Sequence, residues 1–272
     1  MTGCGFCDTL VIIFLFLTVS GDDSYELPDQ KFVTADNYFY QASIHLNYND
    51  EFLCGAAVVS SYEVLTVGSC LYYSWGGIIP PIIVAVKVGG SDLNSTNFKT
   101  ADVSNITFHD DFDTSTMQYD LAVIRTSTPF QSSRYAIGSI SIATETASSY
   151  GNCTVTGWNK ETCILQSVDV EVIDCGDLYD KKVCAQPISS NDILCENSLG
   201  SLLVCNSTLI GILSVVPDCD LPNQQLIFEV AKYAVGMIGD DFISSNTSAM
   251  VRHSTILEYL FGILIFFMNL FL

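Results

Sequence analysis

Cys195-Glu196-Asn197-Ser198-Leu199-Gly200-Ser201-Leu202-Leu203-Val204-Cys205 is the stretch on which the reading of this chain turns. Cysteines bound it at both ends, and its centre carries Leu199, a side chain with no lone pair and no titratable proton. Working outward, the chain contains eleven cysteines. That is too many for an ordinary cytosolic protein without zinc-type spacing, and the only C-x-x-C pair is Cys4 with Cys7. Both lie in an N-terminal segment that reads as a leader. The remaining cysteines describe a disulfide framework built in an oxidising compartment.

The two ends of the chain agree with that compartment. Leu10 to Val19 is an apolar run of signal-peptide length, followed by Ser20 and Gly21, so residues 1–21 read as a signal peptide. At the other end, Ile256 to Leu272 is apolar apart from Glu258 and Asn269. Small residues Ser244, Ser245 and Asn246 and a polar spacer from Thr247 to Thr255 precede it, the pattern of a GPI-anchor signal, with Asn246 or Ser245 as attachment residue. A short membrane anchor within 247–272 is the rival reading, and either places the folded part outside the cell. Sequons at Asn94, Asn105, Asn152, Asn206 and Asn246 fit the same route.

The stretch around Leu199 resembles the nucleophile loop of trypsin-like serine proteases, which reads Cys-x-Gly-Asp-Ser-Gly-Gly-Pro-Leu-Val-Cys with the same number of residues between its cysteines. Laid on it, Leu199 falls in the nucleophile's place, Ser198 in that of the preceding aspartate and Asn197 in that of an oxyanion-hole glycine. Cys54-Gly55-Ala56-Ala57-Val58-Val59 and Val64-Leu65-Thr66-Val67-Gly68-Ser69-Cys70 resemble the family's Cys-Gly-Gly-Ser-Leu-Ile and Val-Leu-Thr-Ala-Ala-His-Cys. Ser69 then holds the general base's position. Tyr119-Asp120-Leu121-Ala122-Val123-Ile124 is similar to Asn-Asp-Ile-Ala-Leu-Leu, which makes Asp120 the one triad residue kept. The family's activating cleavage would fall after Lys31, but its new amine would meet Ser198 instead of a carboxylate.

The resemblance implies an all-β fold over about 32–243: two six-stranded antiparallel β-barrels, about 32–140 and about 150–243, with a C-terminal helix. Ala231, Val235 and Ile238 would face the core at helical spacing. It also implies disulfides Cys54–Cys70, Cys153–Cys205, Cys175–Cys184 and Cys195–Cys219. Cys163 is left without a family partner, as a buried free thiol or a link to another chain. Cys153 to Trp158 and Leu165 to Ile173 read as the opening strands of the second barrel. The Ile78-Ile79-Pro80-Pro81-Ile82-Ile83 run reads as a loop, with an apolar patch open to a partner, leading into an edge strand Val84 to Val88. His45 reads as an exposed strand residue and His109 as part of a surface turn, neither placed to act as a base.

The specificity pocket is changed too. Ile193 stands where trypsins carry an aspartate and Val215 stands in the pocket wall, so any remaining pocket, which also takes in Asn197 and Ser198, has lost its charge and gained apolar walls. Catalysis of this type needs a nucleophile, a base, an orienting acid and oxyanion donors. Neither Leu199 nor Ser69 can fill its seat, since a serine hydroxyl cannot hold a proton near neutral pH as an imidazole does. The sequence therefore points to a non-catalytic homologue binding an extracellular protein partner. A carrier of a small apolar ligand in the remodelled pocket, or a residual serine-type hydrolase, is the alternative. A formal charge of −20 disfavours nucleic acid and anionic lipid and favours cationic partners. No metal or cofactor is expected.

Overall fold

The structure, a computed structural model, describes residues 37–73, 75–130, 136–144, 152–159, 162–176, 181–188, 199–215 and 225–239. Outside them lie the leader 1–21, the cleavage point at Lys31, the pocket residues Ile193, Asn197 and Ser198, Cys195 and Cys219, and the sites proposed for the tail.

Six strands close the first barrel. They are β1 (Gln41–Leu46), β2 (Phe52–Val58), β3 (Glu63–Thr66), β4 (Val84–Val88), β5 (Lys99–Phe108) and β6 (Ala122–Thr126), in the order β1-β2-β3-β6-β5-β4. Short apolar, β-branched runs separated by polar turns set these strands, and closure leaves none of them with an unpaired edge. β5 shows the alternation most plainly. Ala101 and Val103 point into the barrel, while Thr100, Asp102 and Ser104 face water.

The second barrel follows β7 (Ser141–Ile142), a two-residue strand lying parallel on β12. It comprises β8 (Cys153–Trp158), β9 (Leu165–Ile173), β10 (Lys182–Pro187), β11 (Leu202–Cys205), β12 (Thr208–Val215) and β13 (Leu226–Val230). The order β11-β8-β9-β10-β13-β12, with β12 pairing back onto β11, closes this ring as well. Val155, Leu203, Leu213 and Phe228 are wholly buried at its centre. The expected pair of six-stranded antiparallel barrels is what the chain forms.

Three expectations change. β4 is not an edge strand: it pairs with β1 on one side and β5 on the other. Pro80 and Pro81 break no ladder because they sit before the strand, in and beside a 3₁₀ turn at Pro81–Ile83. The C-terminal helix is a 3₁₀ helix, Ala231–Met237. Its side chains eclipse every third residue, so Ala234 rather than Val235 joins Ala231 in the interior. His45, finally, is buried. The turn between β1 and β2 folds back so that the Asp50 carbonyl meets Nδ1 at 3.1 Å, Ser43 Oγ lies 3.0 Å from Nε2, and Phe52 packs edge-on against the ring.

The barrels touch through backbone as well as side chains. Gly55 N–H donates to the Leu199 carbonyl at 2.9 Å across the interface, and within the second barrel Gly200 N–H donates to Leu213 O at 3.0 Å. Gly200 has φ +82°, and a Cβ there would stand 2.0 Å from Gly55 O, so only glycine fits. Thr156 Oγ1 donates to Gln41 Oε1 at 3.0 Å, joining β8 to β1 across the interface.

Candidate functional site

Ser69 lies in a 3₁₀ turn, Gly68–Leu71, directly after β3. The Cys54–Cys70 disulfide ties this turn to β2. Asp120 ends the loop before β6 and is completely buried. The two residues meet closely. Ser69 N–H donates to Asp120 Oδ1 at 2.6 Å, and the Ser69 hydroxyl donates to Oδ2 at 2.7 Å. One serine thus supplies both carboxylate oxygens with a donor.

A second buried carboxylate completes the cluster. Asp120 N–H donates to Glu229 Oε1 at 2.9 Å, and the same oxygen accepts from Lys182 Nζ. Lys182 and Glu229 stand directly opposite each other on β10 and β13. Lys182 also donates to the Met117 carbonyl at 2.7 Å. Met117 and Tyr119 both have positive φ, 54° and 52°, so the loop before Asp120 is held in a conformation that residues with a Cβ seldom adopt.

Burial pushes the Asp120 carboxyl above its ordinary range, against the Ser69 hydrogen bonds and the Lys182 charge, which favour the ionised form. Burial also raises Glu229, and the Lys182 ammonium opposes it. Among the described residues, no imidazole takes part. His45 is held by Asp50 and Ser43, with its pKa pushed down to about 4, chiefly by burial. His109 stacks on Tyr119, 4.7 Å between ring centres, and its Nδ1 accepts Asp111 N–H at 3.1 Å.

The residues assigned from sequence are therefore partly brought together. Ser69 and Asp120 form one unit. Leu199 is on the facing barrel, its carbonyl fixed by Gly55 and its side chain half-buried. Val215, at the end of β12, is 38 % exposed. Glu229 and Lys182 were missed. A lone acid inside the apolar run Leu226-Ile227-Phe228-Glu229-Val230 was the signal that could have found the first.

Cys54–Cys70, Cys153–Cys205 and Cys175–Cys184 are all disulfides. Cys195–Cys219 lies outside the described residues. Cys163 is not free: it is disulfide-bonded, though its partner is outside the described residues. It is buried beside Leu93, Trp158 and Leu165, where its backbone takes a positive φ of 61°. Asn94, Asn105, Asn152 and Asn206 are exposed. Among the described residues, no group of His, Cys, Asp and Glu could hold a metal ion.

Paired closed barrels and this disulfide set define the class of protein. The family model described as Trypsin matches residues 30–235, and the chain belongs to the trypsin family. Trypsin iota of Drosophila melanogaster is 28% identical over 192 residues, covering 64% of this chain and 72% of that protein. The inactive serine protease scarface of the same fly is 30% identical over 126 residues, 45% of this chain and 18% of that protein. Among solved structures, the scabies mite inactivated protease paralogue S-D1 superposes with TM-score 0.64 at 19% identity, over 78% of this chain and 95% of that one. That likeness speaks for the fold.

Proposed function

We propose that this chain is a non-catalytic member of the trypsin family, working outside the cell by binding another protein. The observation that carries the reading is what faces Asp120. Where a working site places a ring nitrogen that takes and returns a proton, a serine hydroxyl spends its hydrogen on the carboxylate at 2.7 Å. That hydroxyl is then an orienting group with no basic nitrogen behind it. Leu199, in the nucleophile's place, offers hydrocarbon. Losing even one triad member costs on the order of 10⁴ to 10⁶ in turnover, and the losses do not add.

What remains is a rigid scaffold with variable loops, and such loops are where recognition sits. The kinship with scarface, a protein named as an inactive protease, supports the reading. The sequons, the disulfides and the two apolar ends support an extracellular setting, with the chain held at the membrane by a lipid on Asn246 or Ser245. Among the described residues, no helix is long and apolar enough to cross a membrane.

Purified chain tested against peptide esters and a fluorophosphonate probe is expected to give neither turnover nor labelling, and Leu199→Ser is expected to stay at background because no base is supplied. Turnover abolished by a serine-directed inhibitor overturns the proposal. Release from intact cells by a phosphatidylinositol-specific phospholipase tests the anchor separately.

A further inference from the structure

Between the 3₁₀ turn that carries Ser69 and strand β4, the chain makes an excursion described at residues 72–73 and 75–83. Backbone bonds hold these described residues. Tyr73 N–H donates to Gly77 O at 2.7 Å, Gly76 N–H to Tyr73 O at 2.8 Å, Ile79 N–H to Leu71 O at 2.8 Å and Ile83 N–H to Pro80 O at 3.1 Å. Ile79 is buried and anchors it. Asn47 closes its base, donating from its backbone to Ile83 O at 2.9 Å and from Nδ2 to Ile82 O at 2.7 Å.

Apolar groups are what these residues turn outward. Trp75 is 76 % exposed, Ile82 80 % and Ile78 53 %. Trp75 stacks on Tyr73 with ring centres 4.8 Å apart and planes 11° from parallel. The indole also lies over Gly77, where an added Cβ would come within 2.3 Å of it. From Val64 to Val86 there is no charged residue, in a chain whose formal charge is −20. Scattered single apolar side chains need no explanation, but a short uncharged stretch that turns three of them outward does.

We propose that this excursion inserts into the surface of a zwitterionic lipid bilayer, with Trp75 and Ile82 entering the boundary between headgroups and acyl chains. Indole and phenol rings settle at that depth, and aliphatic side chains gain by going slightly deeper. The backbone is partly prepared for it. Tyr73, Gly76, Ile79 and Ile83 donate internally, and Pro80 and Pro81 have no N–H, so few donors have to stay at the level of the headgroups.

Charge selects the lipid. The acidic chain is repelled by an anionic surface and indifferent to a neutral one. Asp50 and Glu51, in the neighbouring turn beside exposed Tyr48, stop entry at headgroup depth. None of the five sequons lies in the excursion. The inference rests on the extracellular reading above in one respect: the leaflet met is the one to which the C-terminal apolar segment leads. Residues 240–255 extend to as much as ~55 Å, so that tether does not dictate which loop meets the lipid.

The chain holds two tryptophans, and Trp158 is 1 % exposed, so Trp75 alone reports on its surroundings. The full chain is mixed with phosphatidylcholine vesicles carrying brominated acyl chains. A blue shift and quenching of Trp75 are expected. Ile82→Asp, at a position too exposed to affect folding, raises the lipid concentration needed by about tenfold or more. Replacing a third of the lipid with phosphatidylserine weakens quenching further. If the chain floats with vesicles while Trp75 emission stays unchanged, the insertion is refuted and the tail anchor survives. Shielding of Trp75 that depends on protein concentration without lipid, or on a bound protein alone, assigns the patch to a second copy or a protein partner and also refutes it. Turnover of a peptide ester bears on the inactive reading without touching this one.

Discussion

Lys182→Met removes the ammonium from the buried pair and leaves a methionine of nearly the same length. Side-chain exposures are 9 % for Lys182 and 1 % for Glu229, so water screens little of the interaction. The Glu229 carboxylate would then face the buried Asp120 carboxylate with one backbone N–H for company. Breaking a buried ion pair on one side costs about 3–5 kcal/mol. For a domain of this size, that lowers Tm by roughly 6–20 °C. The loss carries a pH signature. With Lys182 gone, the Glu229 pKa rises further above its ordinary value. The folded variant then takes up a proton that the unfolded chain does not take until lower pH. The deficit is therefore complete above the raised pKa and shrinks as pH falls toward the ordinary carboxyl value. Urea unfolding followed by tryptophan emission, disulfides intact, at pH 8 and pH 5, measures both. The second variant is Lys182→Met with Glu229→Gln, which keeps an acceptor for Asp120 N–H and removes the stranded charge. It is expected to recover most of the loss. A single variant within about 1 kcal/mol of the parent at pH 8, or a deficit that ignores pH, refutes the claim that this pair holds the cluster.

Two further outcomes are expected. The folded chain excludes a proton from His45, with a pKa near 4 against the ordinary 6.5. Its contribution is therefore fully present above about pH 6.5 and lost on acidification toward pH 4, about 3 kcal/mol in all. His45→Gln should flatten the stability profile in that window, read by chemical unfolding at several pH values. Asp120 and Glu229, whose pKa values are raised, work in the opposite sense and make no part of that acid loss. Gly200→Ala should cost at least about 2 kcal/mol, because a left-handed backbone and a contact with Gly55 O act together. Gly176→Ala, at φ +69° with open space around it, should cost about 1 kcal/mol from the backbone alone. Thermal unfolding of the two side by side separates strain from collision.

How much of this was legible in the sequence depends on the range of the physics involved. Strands β8 and β9 were legible because a cysteine, an alternation and a tryptophan mark them locally. Asp120 was legible because Asp120-Leu121-Ala122-Val123-Ile124 resembles the family's Asp-Ile-Ala-Leu-Leu. His45 was misread because alternation says only that a residue points away from its neighbours. It cannot say that the next turn will fold back over the ring. β4 was misread because two prolines beside a strand look the same in sequence as two prolines inside one. Cys163 was judged unpaired by counting cysteines against a family pattern, and the chain bonds it regardless. Lys182 and Glu229 are 47 residues apart and meet only through the register of β10 on β13. Register is set by the whole barrel, so no window of sequence contains it.

That pair also bears on why an aspartate persists at position 120. Its carboxylate holds the Ser69 amide at 2.6 Å and the Ser69 hydroxyl at 2.7 Å, while its own amide is held by Glu229 from the second barrel. Asparagine there would keep an oxygen on the Ser69 amide and turn its NH₂ to the Ser69 hydroxyl oxygen, so the hydroxyl hydrogen would have to find another acceptor. Alanine would leave both donors without their acceptor at a part-buried site, a loss of at most about 1–3 kcal/mol for each. An acceptor at position 120 is thus fixed by the joint it makes between the barrels, whether or not any proton is relayed through it. A buried aspartate in this seat is consequently poor testimony for catalysis. The group placed against it, imidazole or hydroxyl, carries the information, and in this chain that group is Ser69.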